Sequence, residues 1–486
     1  MKKWLVLFIV AALLCPFLGC GKQEDMTIWV VTEQTTWDRM NGQLWVLKES
    51  FEASHPGVTI QVDILPIDEQ ERAAYMQQLR TQIMQGGGPD MYLLPTDDQL
   101  IINQDSGYYY PQVEPLFSDV TLAMKNGMFR DISRWYDADT HLGKESLNAT
   151  IMDAGVVDGR RYVLPLRYDL SVIYADVQAL EMVGFDVTTL EKPLSEMLKA
   201  AMETGNAYLI AGCAYKSSSV LGNWIDYDSG QVTATEESLA SYLENYQKSL
   251  EKAKINPAYR ISVSSYAFGN YDYHYPLYIG SLADILNYAP FAQYKEAEYA
   301  VLPLQAEGGG TVATVTYYTA MGSGCNNPEL TYEFMRQFLL EESQWEYNRP
   351  TKMNLLVGYP PGKGRQDKTN KTQYSGIIES GWPVRTDGSL APLWEVFRKQ
   401  FYTPNTVGET KKRMRKLGLD PLEEHWEEIL RVPIHEVRFP SVVDHQLESI
   451  FIDLNDYMNE YRATDVSISA ISQDLFWDMR RHVSEG

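Results

Sequence analysis

The residues of this chain that could do chemistry are numerous and mostly ambiguous: three glycines in a row at Gly86 to Gly88, 65 acidic side chains, 11 tryptophans and 32 tyrosines in 486 residues. Consecutive glycines can cradle a phosphate when they follow a strand, open a helix and lead into Gly-Lys-Ser/Thr. Here the order is reversed. In and before "LRTQIMQGGGPDMYLLP" (79–95), Met76, Leu79 and Ile83 repeat at helical spacing ahead of the glycines, and Met91 to Leu94 reads as a strand after them. The glycines are therefore read as a helix stop, where left-handed backbone angles carry no Cβ strain, and Pro89 forbids continuation.

Other chemistry is excluded on similar grounds. No Gly-x-Ser-x-Gly elbow, His-Glu-x-x-His helix or Cys/His zinc spacing occurs. Carboxylate pairs of the kind a glycosidase uses are so abundant that none stands out. "DYDSG" (226–230) lacks the remaining ligands of a calcium loop and reads as a turn, and the basic run "KKRMRK" (411–416) reads as a solvated helix face. Neither a metal nor a cofactor is expected.

The elements that must position any site are clearer. "MTIWVV" reads as a strand, Leu44, Leu47 and Phe51 mark a helix, and "VTIQVDIL" alternates with Val58, Ile60, Val62 and Ile64 on one face. A helix over about 69–85 and the strand 91–94 complete a β-α-β-α-β series, which favours a parallel sheet covered by helices. Further on, "YVLPL", "AYLIAG" (207–212) and "AEYAVLPL" are strand-like, while "VQALEMV" and "EESLASYLENYQKSL" (236–250) are helical. "NNPELTYEFMRQFLL" begins a helix with Asn327 as N-cap and Pro328 at the first position. "PPGKGRQDKTNKTQYSG" is basic, poor in apolar residues and reads as an exposed connection. The fold class is α/β.

The first residues carry two lysines and an apolar run from Trp4 to Leu14, too short to span a bilayer but suited to a secretory signal. Phe17-Leu18-Gly19-Cys20 resembles the bacterial lipobox, so residues 1–19 are expected to be a signal peptide, Cys20 the lipidated residue, and 20–26 a tether to a membrane. The formal charge of −23 disfavours nucleic acid and anionic lipid surfaces. Only Cys213 and Cys325 then remain in the folded part, which excludes a disulfide framework; they are read as unpaired and buried.

Five blocks in order resemble the bacterial extracellular solute-binding proteins that feed carbohydrate ABC importers, the group that includes maltodextrin-binding protein. They are "FEASHPGVTIQV", "LRTQIMQGGGPDMYLL", "VVDGRRYVLPLRYDLSVIYADVQALEMVGF", "YAVLPLQAEGGGTVATVTYYTAMGSGCNNPELTYEFMRQFL" and "GWPVRTD". "YDLSVIYADVQAL" lacks the Asn-Lys usual after its tyrosine, and 213–290 matches poorly. The resemblance implies a two-lobe periplasmic-binding-protein-like fold of type II. Lobe 1 would hold 27–168 and 316–382, lobe 2 would hold 169–315 and 383–486, and three crossing segments would close the lobes on a ligand. It further implies a non-enzymatic, monomeric protein that passes a small molecule, most simply a sugar, to ABC permease subunits. A binding protein reporting to a sensor kinase and a secreted glycoside-active enzyme remain the alternatives.

A sugar calls for flat rings against its C–H faces and carboxylates for its hydroxyls. Open α/β sheets place ligands at the carboxyl ends of strands, which selects Trp37 after the first strand and Asp97 and Asp98 after the third. Arg167, Tyr168 and Asp169 fall at the first implied crossing, Tyr317 and Tyr318 at the second, Trp382 and Arg385 at the third. In lobe 2, "LGNWIDYDSG" offers Trp224, and "YAFGNYDYHYPLYIG" offers Tyr271, Asp272, Tyr273 and His274.

Overall fold

A computed structural model describes residues 26–96, 115–213, 225–226, 231–253, 276–282, 299–344, 381–387, 432–440, 444 and 467–485. Strand β1 (Met26–Glu33) leads into helix α1 (Gln34–Ser54), followed by β2 (Val58–Leu65), α2 (Glu69–Met84) and β3 (Met91–Pro95). β1 lies between the other two strands and is parallel to both, with Met26 opposite Val58 and Val30 opposite Met91. Both faces of this sheet are covered. Ile28 and Val30 pack with Phe51, Met91 and Leu93 in one apolar cluster, and Val31 packs with Leu65, Tyr92 and Leu94 in a second. That is the burial expected of parallel strands sandwiched by helices.

Local chemistry sets the boundaries. Asp68 caps α2 by accepting from the amides of Gln70 and Glu71, both at 3.0 Å. At the other end Gly86 adopts φ +80. Its amide donates to the Ile83 carbonyl at 2.9 Å and that of Gly87 to the Gln82 carbonyl at 3.0 Å. The paired bonds around a left-handed glycine form a Schellman stop. In β2, Val58 and Ile60 are buried as the alternation predicts, whereas Val62 and Ile64 are half-buried and Leu65 closes the strand buried.

Beyond β3 the chain forms β4 (Val163–Asp176), then α3 (Val177–Met182), α4 (Leu194–Thr204), α5 (Ala207–Cys213) and α6 (Glu236–Ala253). Strands β5 (Leu277–Ser281), β6 (Tyr299–Pro303) and β7 (Val312–Met321) follow. Next come helix α7 (Pro328–Gln337), the short α8 (Glu341–Gln344), strands β8 (Trp382–Pro383) and β9 (Glu436–Arg438), and helix α9 (Ile468–Glu485). The main strand order is β2-β1-β3-β7-β4-β6, with β5 and β8 also on β4 and β9 on β7.

β4 is the pivotal strand. Residues 163–170 pair antiparallel with β7, whose opposite edge pairs antiparallel with β3. Residues 171–176 pair instead with β5 and β6. A third apolar cluster gathers on this second half, joining Ile173 and Ala175 to Met197, Leu209, Leu243, Leu277 and Met479.

Three sequence expectations are corrected. The run 207–212, expected as a strand, is helix α5. Asn206 starts it, its side chain accepting from the Leu209 amide at 3.0 Å, and a short apolar run cannot by periodicity alone be told from a buried helical turn. Gly212 then lets the helix approach β5 so closely that an added Cβ would lie 2.0 Å from the Leu277 carbonyl. "YVLPL" is only the start of a fourteen-residue strand. Asn327 precedes Pro328 at the head of α7 but makes no side-chain cap hydrogen bond.

Cys213 and Cys325 are free and buried. Burial pushes their thiols up to about 12 and about 11. Among the described residues no helix is long and apolar enough to cross a membrane, and no cluster of His, Cys, Asp and Glu is placed to hold a metal. The basic stretch within 360–376 and the run 411–416 lie outside the described residues.

Candidate functional site

The two faces of β4 differ in kind. On one, Leu164, Leu166, Tyr168, Leu170, Val172 and Tyr174 run unbroken through a single apolar cluster. On the other, Val163 belongs to the cluster on the β1 sheet, while Ile173 and Ala175 belong to the cluster on α4, α5 and α6. Between them on that face lie Pro165, Arg167, Asp169 and Ser171. Asp169 and Ser171 are the two positions of the strand that are not buried. Apolar residues in that row would fuse the two cores; polar ones keep a solvated gap between them.

Neighbouring strands extend the gap. Asp169 stands opposite Thr314 of β7, and Thr314 opposite Arg438 of β9, whose guanidinium pairs with the buried carboxylate of Asp444. The chain leaves β3 beside the same place, because the Thr96 amide donates to the Thr316 carbonyl at 2.9 Å. This floor of carboxylate, hydroxyl and guanidinium groups can exchange hydrogen bonds with a polar solute and holds no nucleophile paired with a base.

The residues singled out from the sequence fall into three groups. Asp97, Asp98, Trp224, Tyr271, Asp272, Tyr273 and His274 lie outside the described residues. Trp37 lies in the first turn of α1, directly after the carboxyl end of β1. The remainder converge on the crossing. Arg167 faces Tyr317 across the β4–β7 pair and Pro383 on the other side, and Tyr168 faces Trp382. All four of Arg167, Tyr168, Tyr317 and Trp382 are buried. Burial raises the phenol of Tyr168 above its ordinary range, with the Asp169 charge adding to the effect.

Tyr318 and Arg385 are engaged within the packed interior. The Tyr318 ring meets Phe439 edge-on at 5.8 Å, within the apolar cluster on the β1 sheet. Arg385 donates from Nε to Asp387 Oδ1 at 2.9 Å and from Nη2 to Oδ2 at 2.5 Å, while Nη1 donates to the carbonyls of Leu142 and Leu339. The Asp387 carboxylate holds the Arg385 guanidinium above its usual value.

One pair escaped the sequence reading. Glu33, the last residue of β1, receives the Arg72 fork at 2.7 and 2.9 Å, and both side chains are 4% exposed. Burial pushes the Glu33 carboxyl up and the Arg72 guanidinium pulls it back. The pair closes the carboxyl ends of β1 and β2 a few residues before Trp37. Its only trace in the sequence is that the N-cap position of α1 holds a glutamate that makes no cap hydrogen bond.

A mixed sheet whose long strand passes from one core into another, with a polar gap on one face, defines a two-lobe binding architecture of the periplasmic-binding-protein type. The chain belongs to the bacterial extracellular solute-binding protein family, whose sequence model matches residues 35–345. No curated protein matches it significantly. Among solved structures, it is similar to the sugar-binding protein MalE from Xanthomonas citri at 11% identity and a TM-score of 0.52, with 95% of this chain and 98% of that one covered. It is similar to CpMnBP1 with mannotriose bound at 12% identity and a TM-score of 0.50, covering 93% and 100%. A de novo designed cysteine esterase, ECH19, shares the fold at 13% identity and a TM-score of 0.53, covering 96% and 99%.

Proposed function

We propose that the protein captures a sugar or oligosaccharide in the gap between its lobes and passes it to the permease subunits of an ABC importer. The observation that carries this reading is the polar interruption Arg167-Asp169-Ser171 on the one strand that joins two apolar cores. Residues 27–168 with 316–382 form one lobe, and 169–315 with 383–486 the other. The change of pairing partner along β4, from β7 to β5 and β6, supports a division near residue 169.

Asp169 serves as a hydroxyl acceptor on the cleft floor, with Trp37, Asp97 and Asp98 on one wall and Trp224, Tyr271, Tyr273 and His274 on the other. Tyr168, Tyr317 and Trp382 act from beneath the floor, as the packing that fixes its shape. The protein is monomeric and does no chemistry on its ligand, a reading supported by the family and by a floor without a nucleophile–base pair. It is held at the outer face of a bacterial cytoplasmic membrane by acyl chains on Cys20. The fold it shares with a mannotriose-bound protein favours a carbohydrate.

A thermal-shift screen against mono- and oligosaccharides, with polyamines, peptides and phosphates as controls, tests this reading. A ligand at a hundred times its dissociation constant adds about 2.7 kcal/mol to the folded state, a shift of several degrees. A carbohydrate that shifts the transition and is recovered unchanged supports it. A hit limited to polyamines or peptides overturns the ligand class, and a carbohydrate recovered cleaved overturns the non-enzymatic role.

A further inference from the structure

Five arginines are buried among the described residues, and four of them pair with a carboxylate: Arg72 with Glu33, Arg161 with Asp153, Arg385 with Asp387 and Arg438 with Asp444. The fifth is Arg167. Its side chain is 1% exposed, its Nη1 donates to the Gln344 carbonyl at 3.3 Å, and its Nε and Nη2 find no hydrogen-bond partner. With 65 acidic against 42 basic side chains, carboxylates are plentiful in this protein, yet none has been placed against Arg167. Burial alone holds its guanidinium down at about 9. A buried cation is ordinarily paired, because leaving one unpaired is costly.

The unused donors are not scattered. Nη1 is the nitrogen on the Cδ side of the guanidinium, so Nε–H and Nη2–H share the opposite edge and point the same way. That edge is one of the forks that accept the two oxygens of a planar carboxylate. By strand alternation Arg167 stands on the same face as Asp169 and Ser171, in the row that separates the two cores.

We propose that the solute taken by this cleft carries a carboxylate, as a uronic-acid saccharide does, and that Arg167 receives it side-on. This rests on the carbohydrate reading given above. Asp169, two residues along the strand, lies about 6.6 Å further on. It accepts hydroxyls of the sugar without sharing the hydrogen-bond shell of the ligand's carboxylate. The overall charge of −23 works against an anion at long range, so capture depends on this one local cation. Opening of the lobes about the crossing strands is the route by which a ligand reaches a side chain so deeply buried.

Calorimetric titration of the purified protein with uronic-acid oligosaccharides of one to four residues, in the gluco, galacto, manno and gulo series, tests the proposal. The methyl esters, the matching neutral sugars and the corresponding 6-phosphates are titrated alongside. A uronate is expected to bind about ten to a hundred times more tightly than its own methyl ester, a comparison that needs no variant. Arg167→Met is expected to remove that preference and Arg167→Lys to retain part of it. Binding of neutral sugars with no preference for the acid overturns this proposal and leaves the carbohydrate reading standing. A preference for the 6-phosphates overturns the carboxylate assignment, and an acid preference that survives Arg167→Met overturns the role of Arg167. If no saccharide of any class binds, both this proposal and the carbohydrate reading fail.

Discussion

Replacing Arg167 by methionine separates stability from binding in a way the structure makes quantitative. Folding lowers the guanidinium from 12.5 to about 9 through burial alone. At about 1.4 kcal/mol per decade, that amounts to on the order of 4–5 kcal/mol held against the charged form in the native state. Arg167→Met removes this cost and introduces another, since the Gln344 carbonyl loses its 3.3 Å donor from Nη1. An acceptor left buried costs about 1–3 kcal/mol. The ligand-free variant should therefore be more stable than the parent by on the order of 1–3 kcal/mol, visible as a later urea midpoint and a transition a few degrees higher.

The pH dependence has a definite sign. Because the native state holds the proton less tightly, the unfolded chain binds more protons between about 9 and 12.5, so the penalty is complete below about 9 and is relieved as pH rises through that window. The advantage of the variant should thus be constant from about pH 5 to pH 8 and shrink above about pH 9. Urea denaturation of both proteins across that range is the assay. A variant less stable than the parent by more than about 1 kcal/mol would refute the claim that Arg167 sits unpaired in the fold.

Other perturbations follow from the same contacts. Glu33→Ala leaves Arg72 buried without its carboxylate and should cost about 3–5 kcal/mol in urea denaturation; a cost under about 1 kcal/mol would mean the pair is solvated. Gly212→Ala sets a methyl group 2.0 Å from the Leu277 carbonyl, forcing α5 off β5 at about 1–3 kcal/mol or more; an unchanged midpoint would contradict the close approach. Asp169→Asn should weaken saccharide binding about tenfold by calorimetry while moving ligand-free stability by less than about 1 kcal/mol. An unchanged affinity would remove Asp169 from the cleft floor.

The sequence revealed the first sheet well and the site unevenly, for physical reasons. Strands β1 to β3 were legible because helical and strand periodicities alternate cleanly there, and because Asp68 and Gly86 punctuate α2 at both ends. Helix α5 was not, since "AYLIAG" is apolar throughout and seven residues long, too short for its period to declare itself. The residues at the crossing were reached through family resemblance, and pattern alone gave no sign that Arg167 and Asp169 differ from the apolar residues around them in what they face. That difference appears only when the three cores are traced separately on β4. The Glu33–Arg72 pair, 39 residues apart in sequence, depends on tertiary placement that no local pattern encodes.

The central claim is that a saccharide binds between two lobes joined at β4 and draws them together. Small-angle X-ray scattering of the protein, alone and with a saturating saccharide identified by titration, tests it most directly. A fall in the radius of gyration on binding, with no change in molecular mass, is the predicted result. An unchanged radius at full occupancy would place the ligand on one lobe alone and contradict the account.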